Sequence, residues 1–270
     1  ENGRQAFYDA TNEAVQEVIT SFQELEGTTF QSGMYDFWTA FQEFAKIPDS
    51  SVNQNLVVQK GVLFVERAQG IVDNMKSYQS KINTKISESI DRINELGHTI
   101  QELNLQIQKV EAGKVETAMT LRDERDNALD ELSQYAQIDF SETPDGIVKV
   151  KLEGVQFVDE VHVFEMGKKV DKATGFITPT WPHLSDASLG HYTNVFDYSV
   201  DISSEMNTDI GILKAQVLAR GDHVANYTDV AGLTADQYND GAGMSVMLSA
   251  QAEFDQLVHG IMTAINDVLS

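Results

Sequence analysis

Apolar residues recur every three or four positions through the second half of the stretch 51–111. Their mean step is about 3.5 residues, the spacing of a coiled-coil seam rather than of an isolated straight helix. The seam positions are Ile82, Ile86, Ile90, Ile93, Leu96, Ile100, Leu103 and Ile107. Asp49, Ser50 and Ser51 are candidate N-caps at the start of the stretch, and Ser51 and Gln54 are spaced as a capping box. We predict one helix over 51–111, about 90 Å long, with a seam that other helices cover.

Three glycines fall inside this predicted helix. Each either weakens the helix or allows another backbone to pack closely against it, and the pattern does not choose between the two. They are Gly61, Gly70 and Gly97.

Two shorter amphipathic helices are predicted ahead of the long one. The first covers residues 6–25 and ends at Gly27, and the second covers residues 34–46 and ends before Pro48. The second helix has an aromatic stripe made of Met34, Phe37, Trp38, Phe41, Phe44 and Ala45. A stripe at this spacing is more often core than a ligand site, so we expect it to be buried.

Further helices follow the seam. Gly113 is a natural residue to end the long helix, and Val115 to Ala136 forms an amphipathic helix after it. A short helix is predicted over 212–220, ended by Gly221. The last helix is predicted over 244–270. We expect the helices over 115–136 and 244–270 to pack on the seam.

The hydrophobic period changes from helical to alternating at Ile138. A turn signal at Thr143 to Gly146 precedes residues 148–152, where apolar residues alternate with lysine. Residues 155–166 are rich in valine and phenylalanine, and residues 195–203 also have a β-like pattern. Antiparallel strands are therefore predicted in this part of the chain.

These elements predict an α+β fold, a long-helix antiparallel bundle with an inserted antiparallel β-rich domain. Residues 1–136 form the first part of the helical domain, residues 137–207 the β-rich insertion and residues 208–270 the second helical part. Thr208 or Asp209 is expected to cap the first helix of that last part.

Composition excludes several classes of function. The 270 residues carry a net charge of −23 and no basic segment, which disfavours a nucleic-acid or anionic-membrane surface. Cysteine is absent, which rules out disulfides, thiolate metal sites and a cysteine nucleophile. No apolar run reaches the ~18–20 residues of a membrane span, and the first residues lack the features of a cleavable signal. Since the sequence begins without methionine, we take it as a fragment.

The densest charge cluster lies over residues 121–132, with the sequence LRDERDNALDEL. Arg122 can pair with Asp126 across one helical turn, so we interpret the cluster as a salt-bridged helix surface and not as catalytic carboxylates. The motif residues are Leu121, Arg122, Asp123, Arg125, Asp126, Leu129 and Leu132.

Other candidate sites are weak. His183 and His191 lie near Asp186 and Asp197, but their spacing matches no metal-binding motif. Residues 220–222 spell the adhesion tripeptide Arg-Gly-Asp at a predicted helix end. Phosphate-binding and nucleophile-elbow motifs are absent from the sequence. We expect no enzyme activity, no catalytic residue, no metal site and no cofactor.

Several blocks together resemble the flagellar hook-associated protein 1 family, the first junction protein between bacterial hook and filament. In chain order they are ISESIDRINELGHTIQELNLQIQ, LRDERDNALDELS, DGIVKV, GVQFV, DIGILKAQVLARGD and AEFDQLVHGIMTAIN. The resemblance implies a core fragment, without its terminal segments, of a non-enzymatic axial protein. It also implies unfolded export through the flagellar type III apparatus and an extracellular location. The implied partners are the hook protein, the next junction protein, other copies of the chain and an export chaperone.

Two other classes stay open at this point. One is a different elongated helical filament or tail subunit without enzymatic activity. The other is a hydrolase within the β region, which lacks a recognisable nucleophile or metal constellation. We expect the fragment to be a monomer, because its own helices can cover the seam.

Overall fold

The computed structural model describes residues 1–23, 29–112, 117–240, 243 and 245–269. Its α-helices are α1 (Asn2–Gln23), α2 (Phe30–Lys46), α3 (Ser51–Glu111), α4 (Met119–Tyr135), α5 (Ile212–Arg220), α6 (Ala235–Asp240) and α7 (Val246–Leu269). Its strands are β1 (Ile138–Glu142), β2 (Val148–Leu152), β3 (Val155–Val158), β4 (Gly167–Val170) and β5 (Ile177–Thr180). Helices and antiparallel strands thus occupy separate stretches, as expected of the predicted α+β class.

Helix α3 has the predicted bounds, but it begins with a different cap. The Oγ of Ser50 accepts a hydrogen bond from the N–H of Asn53, at 3.4 Å. The side-chain amide of Gln54 donates to the carbonyl of Pro48, at 2.9 Å. The predicted capping box of Ser51 and Gln54 is therefore wrong, because Ser51 is already a helical residue.

The β-rich region contains two antiparallel sheets. The strand order in the first is β1-β2-β3, with Ile138 opposite Leu152, and β4 pairs with β5 in the second. The predicted alternation holds in β2, whose three apolar residues are buried. The strand predicted over 155–166 ends at Val158.

Residues 195–203, all within the described part of the chain, form turns and bends instead of the predicted strand. The carboxylate of Asp197 accepts hydrogen bonds from the backbone N–H and the hydroxyl of Ser199, at 2.9 and 2.6 Å. This side chain holds a local turn and competes with extended backbone. Val195 and Phe196 are nevertheless buried, which explains their β-like pattern.

The N-terminal cap predicted for α5 is also wrong. The helix begins after Gly211, and Asp209 is fully buried with its carboxylate bonded to Arg4, at 3.1 Å. The hydroxyl of Thr208 bonds the backbone of the preceding loop. Gly221 ends the helix as predicted.

The chain divides into two compact units. The first unit contains residues 1–12 and 82–223, and the second contains residues 13–81 and 224–270. Helices α1 and α3 each contribute residues to both. The domain boundaries proposed from the sequence stay a prediction. Several helix boundaries predicted from the sequence lie outside the described residues. They are the ends at Gly27, Gly113 and Ser270 and the starts at Val115 and Met244.

Aromatic rings form much of the core of the second unit. Phe254 of α7 packs edge-on against Phe22 and Phe30, with ring centroids 5.3 and 5.1 Å apart. Phe37 of α2 stacks on Phe64 of α3 at 5.6 Å. The buried amide of Gln251 donates to the side-chain oxygen of Gln79, at 3.1 Å.

The aromatic stripe of α2 is only partly buried. Phe37 is 7% exposed, whereas Trp38 is 62% exposed and Met34 36%. The prediction that the whole stripe is core is therefore wrong for the side that Trp38 occupies.

Candidate functional site along the long helix

The seam of α3 is buried in the first unit. Its eight residues, from Ile82 to Ile107, are between 0% and 6% exposed. The apolar residues of β2, together with Phe157 of β3 and Leu129 and Leu132 of α4, are buried in the same unit. The β-rich region thus shares the core that we expected helices alone to form.

The prediction that the last helix covers the seam needs correction. Helix α7 belongs to the second unit, and there it packs on Phe22, Phe30 and Gln79, all of which precede Ile82.

Two asparagines of α3 bind the backbone of the β-rich region as a neighbouring strand would. The Nδ2 of Asn94 donates to the carbonyl of Met166, at 3.0 Å, and its Oδ1 accepts from the N–H of the same residue, at 2.8 Å. Asn104 makes the same pair of bonds with Val148, at 2.8 and 3.0 Å. A side-chain amide offers one donor and one acceptor group, so each satisfies both polar groups of one backbone residue.

A third asparagine makes a similar pair of bonds nearer the start of the seam. Asn83 donates to the carbonyl of Gly175, at 3.1 Å, and accepts from the N–H of Ile177, at 2.8 Å. The guanidinium of Arg220 donates to the Oδ1 of Asn83, at 2.6 Å, and to the carbonyl of Ile177, at 2.8 Å. Arg220 is therefore a buried structural residue, and the tripeptide it begins does not present its arginine to solvent.

We call Asn83, Asn94 and Asn104 the asparagine ladder. Their spacings of 11 and 10 residues are close to three helical turns, roughly 10.8 residues, so they lie along one face of α3. Each directly follows a seam residue, namely Ile82, Ile93 and Leu103. The ladder is not among the sites predicted from the sequence, although a polar residue repeated beside an apolar seam is a readable signal.

Arg125 of α4 connects the ladder to the β1–β2 turn. Its Nη1 donates to the Oδ1 of Asn104, at 3.1 Å, and to the carbonyl of Gly146, at 2.7 Å, while its Nη2 bonds Glu142 at 3.1 Å. Partial burial would raise the pKa of Glu142, but hydrogen bonds from Arg125 and Arg122 outweigh it and lower that pKa. Arg125 is only 2% exposed, so it holds three segments together from inside.

Arg122, one turn earlier, holds two carboxylates. Its Nε and Nη2 donate to both oxygens of Glu111, at 2.9 and 2.7 Å, and its Nη1 donates to Glu142, at 2.6 Å. Hydrogen bonds from Arg122 and from the N–H of Ala118 lower the pKa of Glu111 to about 2. The predicted pairing of Arg122 with Asp126 is wrong, because Glu111 meets its fork bidentately, Glu142 takes its remaining Nη1, and Asp126 is exposed.

The remaining motif residues divide by burial. Leu129 and Leu132 are buried, Leu121 is half-buried, and Asp123 is exposed like Asp126. The two arginines of the motif therefore hold charged partners in fixed, ionised pairs. Such an arrangement positions backbone segments and offers no group poised for proton transfer.

Within the described residues, no group of three or more histidine, aspartate or glutamate side chains is placed to hold a metal ion. The carboxylates of Asp186 and Asp197 accept hydrogen bonds from their own turns. Among the helices described, none combines the length and apolarity needed to cross a membrane.

Gly97 of α3 lies directly against side chains of the β-rich region. A Cβ at this position would stand 2.6 Å from the Cζ of Phe157 and 2.9 Å from the Cγ1 of Val163. Phe157 is fully buried, so its ring has little room to move. Of the two roles that the sequence left open for this glycine, the structure supports close packing.

We expect Gly97→Ala to lower the free energy of unfolding of the first unit by about 1–2 kcal/mol, since overpacking outweighs the better helix propensity of alanine. Urea unfolding followed by Trp181 fluorescence in a Trp38→Phe background measures this unit, because the chain has two tryptophans. The control is Asp126→Ala, an exposed change on α4 of the same unit. An unchanged midpoint for Gly97→Ala would contradict the packing argument.

The sequence of this chain matches the model of a known protein family. The model of the flagellar hook-associated protein FlgK helical domain matches residues 15–270. The chain belongs to this family. The match includes the seam, the asparagine ladder and the arginine motif, and FlgK-family proteins are structural components of the flagellum.

A solved structure is similar in fold to this FlgK-family chain. It is the structure of the flagellar hook junction protein FlgK from Burkholderia pseudomallei, with a TM-score of 0.60 and 14% sequence identity. The similarity covers 80% of this chain and 36% of that one, so this chain spans little more than a third of that protein. It confirms the predicted fold class. Among curated proteins, no similar sequence is found.

Proposed function

We propose that this chain is the core of a structural axial protein that joins hook to filament and is needed for filament assembly. The observation that carries the proposal is the family match over residues 15–270. The buried seam, the asparagine ladder and the two arginines support it, because they hold helix and sheet in fixed register in the first unit. A junction subunit needs this rigidity, and an elongated subunit of another filament or tail would not be expected to match this family.

The proposed partners are the hook protein, the next junction protein and other copies of the same protein. An export chaperone is a further proposed partner, contacted through segments outside this sequence. We place the assembled protein in the extracellular flagellum, which it would reach by export through the flagellar type III apparatus. The proposed role requires no cofactor and no catalytic residue.

The test is deletion of the gene in a flagellated host. We expect hooks without filaments, and flagellin in the culture medium, because flagellin subunits then have no junction on which to assemble. Electron microscopy of cells and immunoblotting of the medium measure both results, and the full-length gene supplied in trans is the control. Normal filaments in the deletion strain would reject the proposal.

We also propose that the isolated 270-residue chain is a monomer. The seam residues, which are at most 6% exposed, are already covered within the first unit. A parallel dimer that shares the seam would have to open that core. Sedimentation velocity measures the state, and a stable dimer whose formation requires the seam would contradict this packing.

A further inference from the structure

The second unit has an apolar groove between α2 and α7. We call it the α2–α7 groove, and its volume is about 840 Å³. Its lining includes Met34, Tyr35, Trp38, Phe41, Ile261 and Ile265. All of these residues belong to the second unit.

Large side chains in this groove face solvent. Trp38 is 62% exposed and Tyr35 is 68% exposed. Burial of an aromatic side chain is favourable by roughly 25 cal/mol for each Å² of apolar surface, so this exposure forgoes stability. A contiguous exposed apolar patch of this kind is typical of an interaction site.

The spacing of the lining residues fits a helical occupant. On α2 the lining side chains recur at Met34, Trp38 and Phe41, and on α7 at Ile261 and Ile265. The α2 set covers about two turns and the α7 set about one, and this three- and four-residue spacing matches the apolar stripe of an amphipathic helix lying in the groove.

Charge distinguishes between possible occupants. Both acidic residues of α2 are already paired, Glu43 with Lys46 at 2.6 Å and Asp36 with Lys60 at 2.8 Å, so the charge of the rim is set by α7. Helix α7 carries three acidic residues and neither lysine nor arginine, and no lysine or arginine follows Arg220 in the sequence. Asp267 lies one turn from the groove residue Ala264, so the rim of α7 offers only negative charge.

These charges disfavour two occupants. A second copy would set the acidic α7 surface against a surface of the same sign, and like charges across an interface are costly. An anionic membrane would be repelled for the same reason. A helix with lysine or arginine beside its apolar stripe can bury that stripe in the apolar groove and pair its cations with the acidic rim of α7.

We propose that the α2–α7 groove binds an amphipathic helix of another protein, whose apolar stripe is flanked by lysine or arginine. This inference stands apart from the proposed flagellar role, because binding is measured on the chain alone.

The test titrates the 270-residue chain into a fluorescein-labelled leucine–lysine helix of about 18 residues, five turns long. A leucine–glutamate helix of the same length is the second probe. We expect saturable anisotropy with the basic helix, a blue shift of Trp38 emission, and at least tenfold weaker binding of the acidic helix. Trp38→Ala should weaken binding of the basic helix about tenfold or more.

Matched variants separate groove binding from general attraction to an acidic protein. Ala264 is exposed, so Ala264→Lys should weaken binding of the basic helix and Ala264→Glu should strengthen it, with the fold intact by circular dichroism. Val52→Ala removes a side chain that is 72% exposed elsewhere in the second unit, and should leave binding unchanged.

Four outcomes would overturn the inference. They are equal binding to Trp38→Ala and the unchanged chain, equal binding of the acidic helix, binding of anionic vesicles without binding of the basic helix, and a dimer in sedimentation that Trp38→Ala abolishes. The last would assign the groove to a second copy.

Discussion

We expect Arg125→Ala to lower the free energy of unfolding of the first unit by about 3 kcal/mol. The substitution removes three hydrogen bonds from a side chain that is 2% exposed. The buried carbonyl of Gly146 and the buried Oδ1 of Asn104 each lose one hydrogen-bond donor. The shorter side chain also leaves a cavity beside α4. The loss of buried partners, rather than the charge itself, accounts for most of this effect.

The measurement is urea unfolding followed by Trp181 fluorescence in the Trp38→Phe background. Asp126→Ala, an exposed change one residue further along α4, is the matched control and should stay within about 0.5 kcal/mol of the parent. Arg125→Lys keeps the charge but lacks the planar fork, so we expect it to recover little of the loss. A lysine variant as stable as the parent would show that charge alone suffices.

We expect Asn104→Leu to lower the free energy of unfolding of the same unit by about 2–4 kcal/mol. Leucine branches at Cγ as asparagine does but offers no hydrogen bonds, so the N–H and the carbonyl of Val148 both lose their partner on α3. Arg125 loses one acceptor as well. Asn104→Asp keeps the acceptor and loses the donor, so we expect a smaller effect than with leucine.

Two measurements distinguish this effect from a general loss of packing. The amide of Val148 should exchange with solvent faster in Asn104→Leu, because its hydrogen bond to the ladder is gone. Asn104→Leu and Arg125→Ala together should cost less than the sum of the two, with a coupling energy of about 1 kcal/mol, since they share one hydrogen bond. Asn127→Leu on the exposed side of α4 is the control for the amide-to-leucine change. Strict additivity would mean that the two residues act separately.

The helix elements and their buried faces follow from local patterns. The 3.5-residue spacing from Ile82 to Ile107 identified both α3 and its buried side, because side-chain direction in a helix depends only on neighbouring residues. The alternation of Val148, Val150 and Leu152 with two lysines identified β2 for the same reason. The charge of the chain disfavours a nucleic-acid or anionic-membrane surface, and this stays a prediction.

Capping and pairing were harder to predict because each depends on competition between nearby groups. Ser50, Ser51 and Asp49 all could cap α3, and only the path of the chain from Pro48 selects Ser50. Arg122 could reach Asp126 on its own helix, yet Glu111 and Glu142 meet it in a better geometry.

The sequence by itself determined the long helix, its apolar seam and the family of this chain, since these lie in periodicity and in ordered blocks of residues. Only the tertiary structure decided what the polar residues beside the seam bind. The backbone partners of Asn83, Asn94 and Asn104 lie between 44 and 94 residues away along the chain, so no local pattern specifies them. It also decided that Trp38, spaced like a core residue, faces solvent, because the burial of a helix face depends on what packs against it.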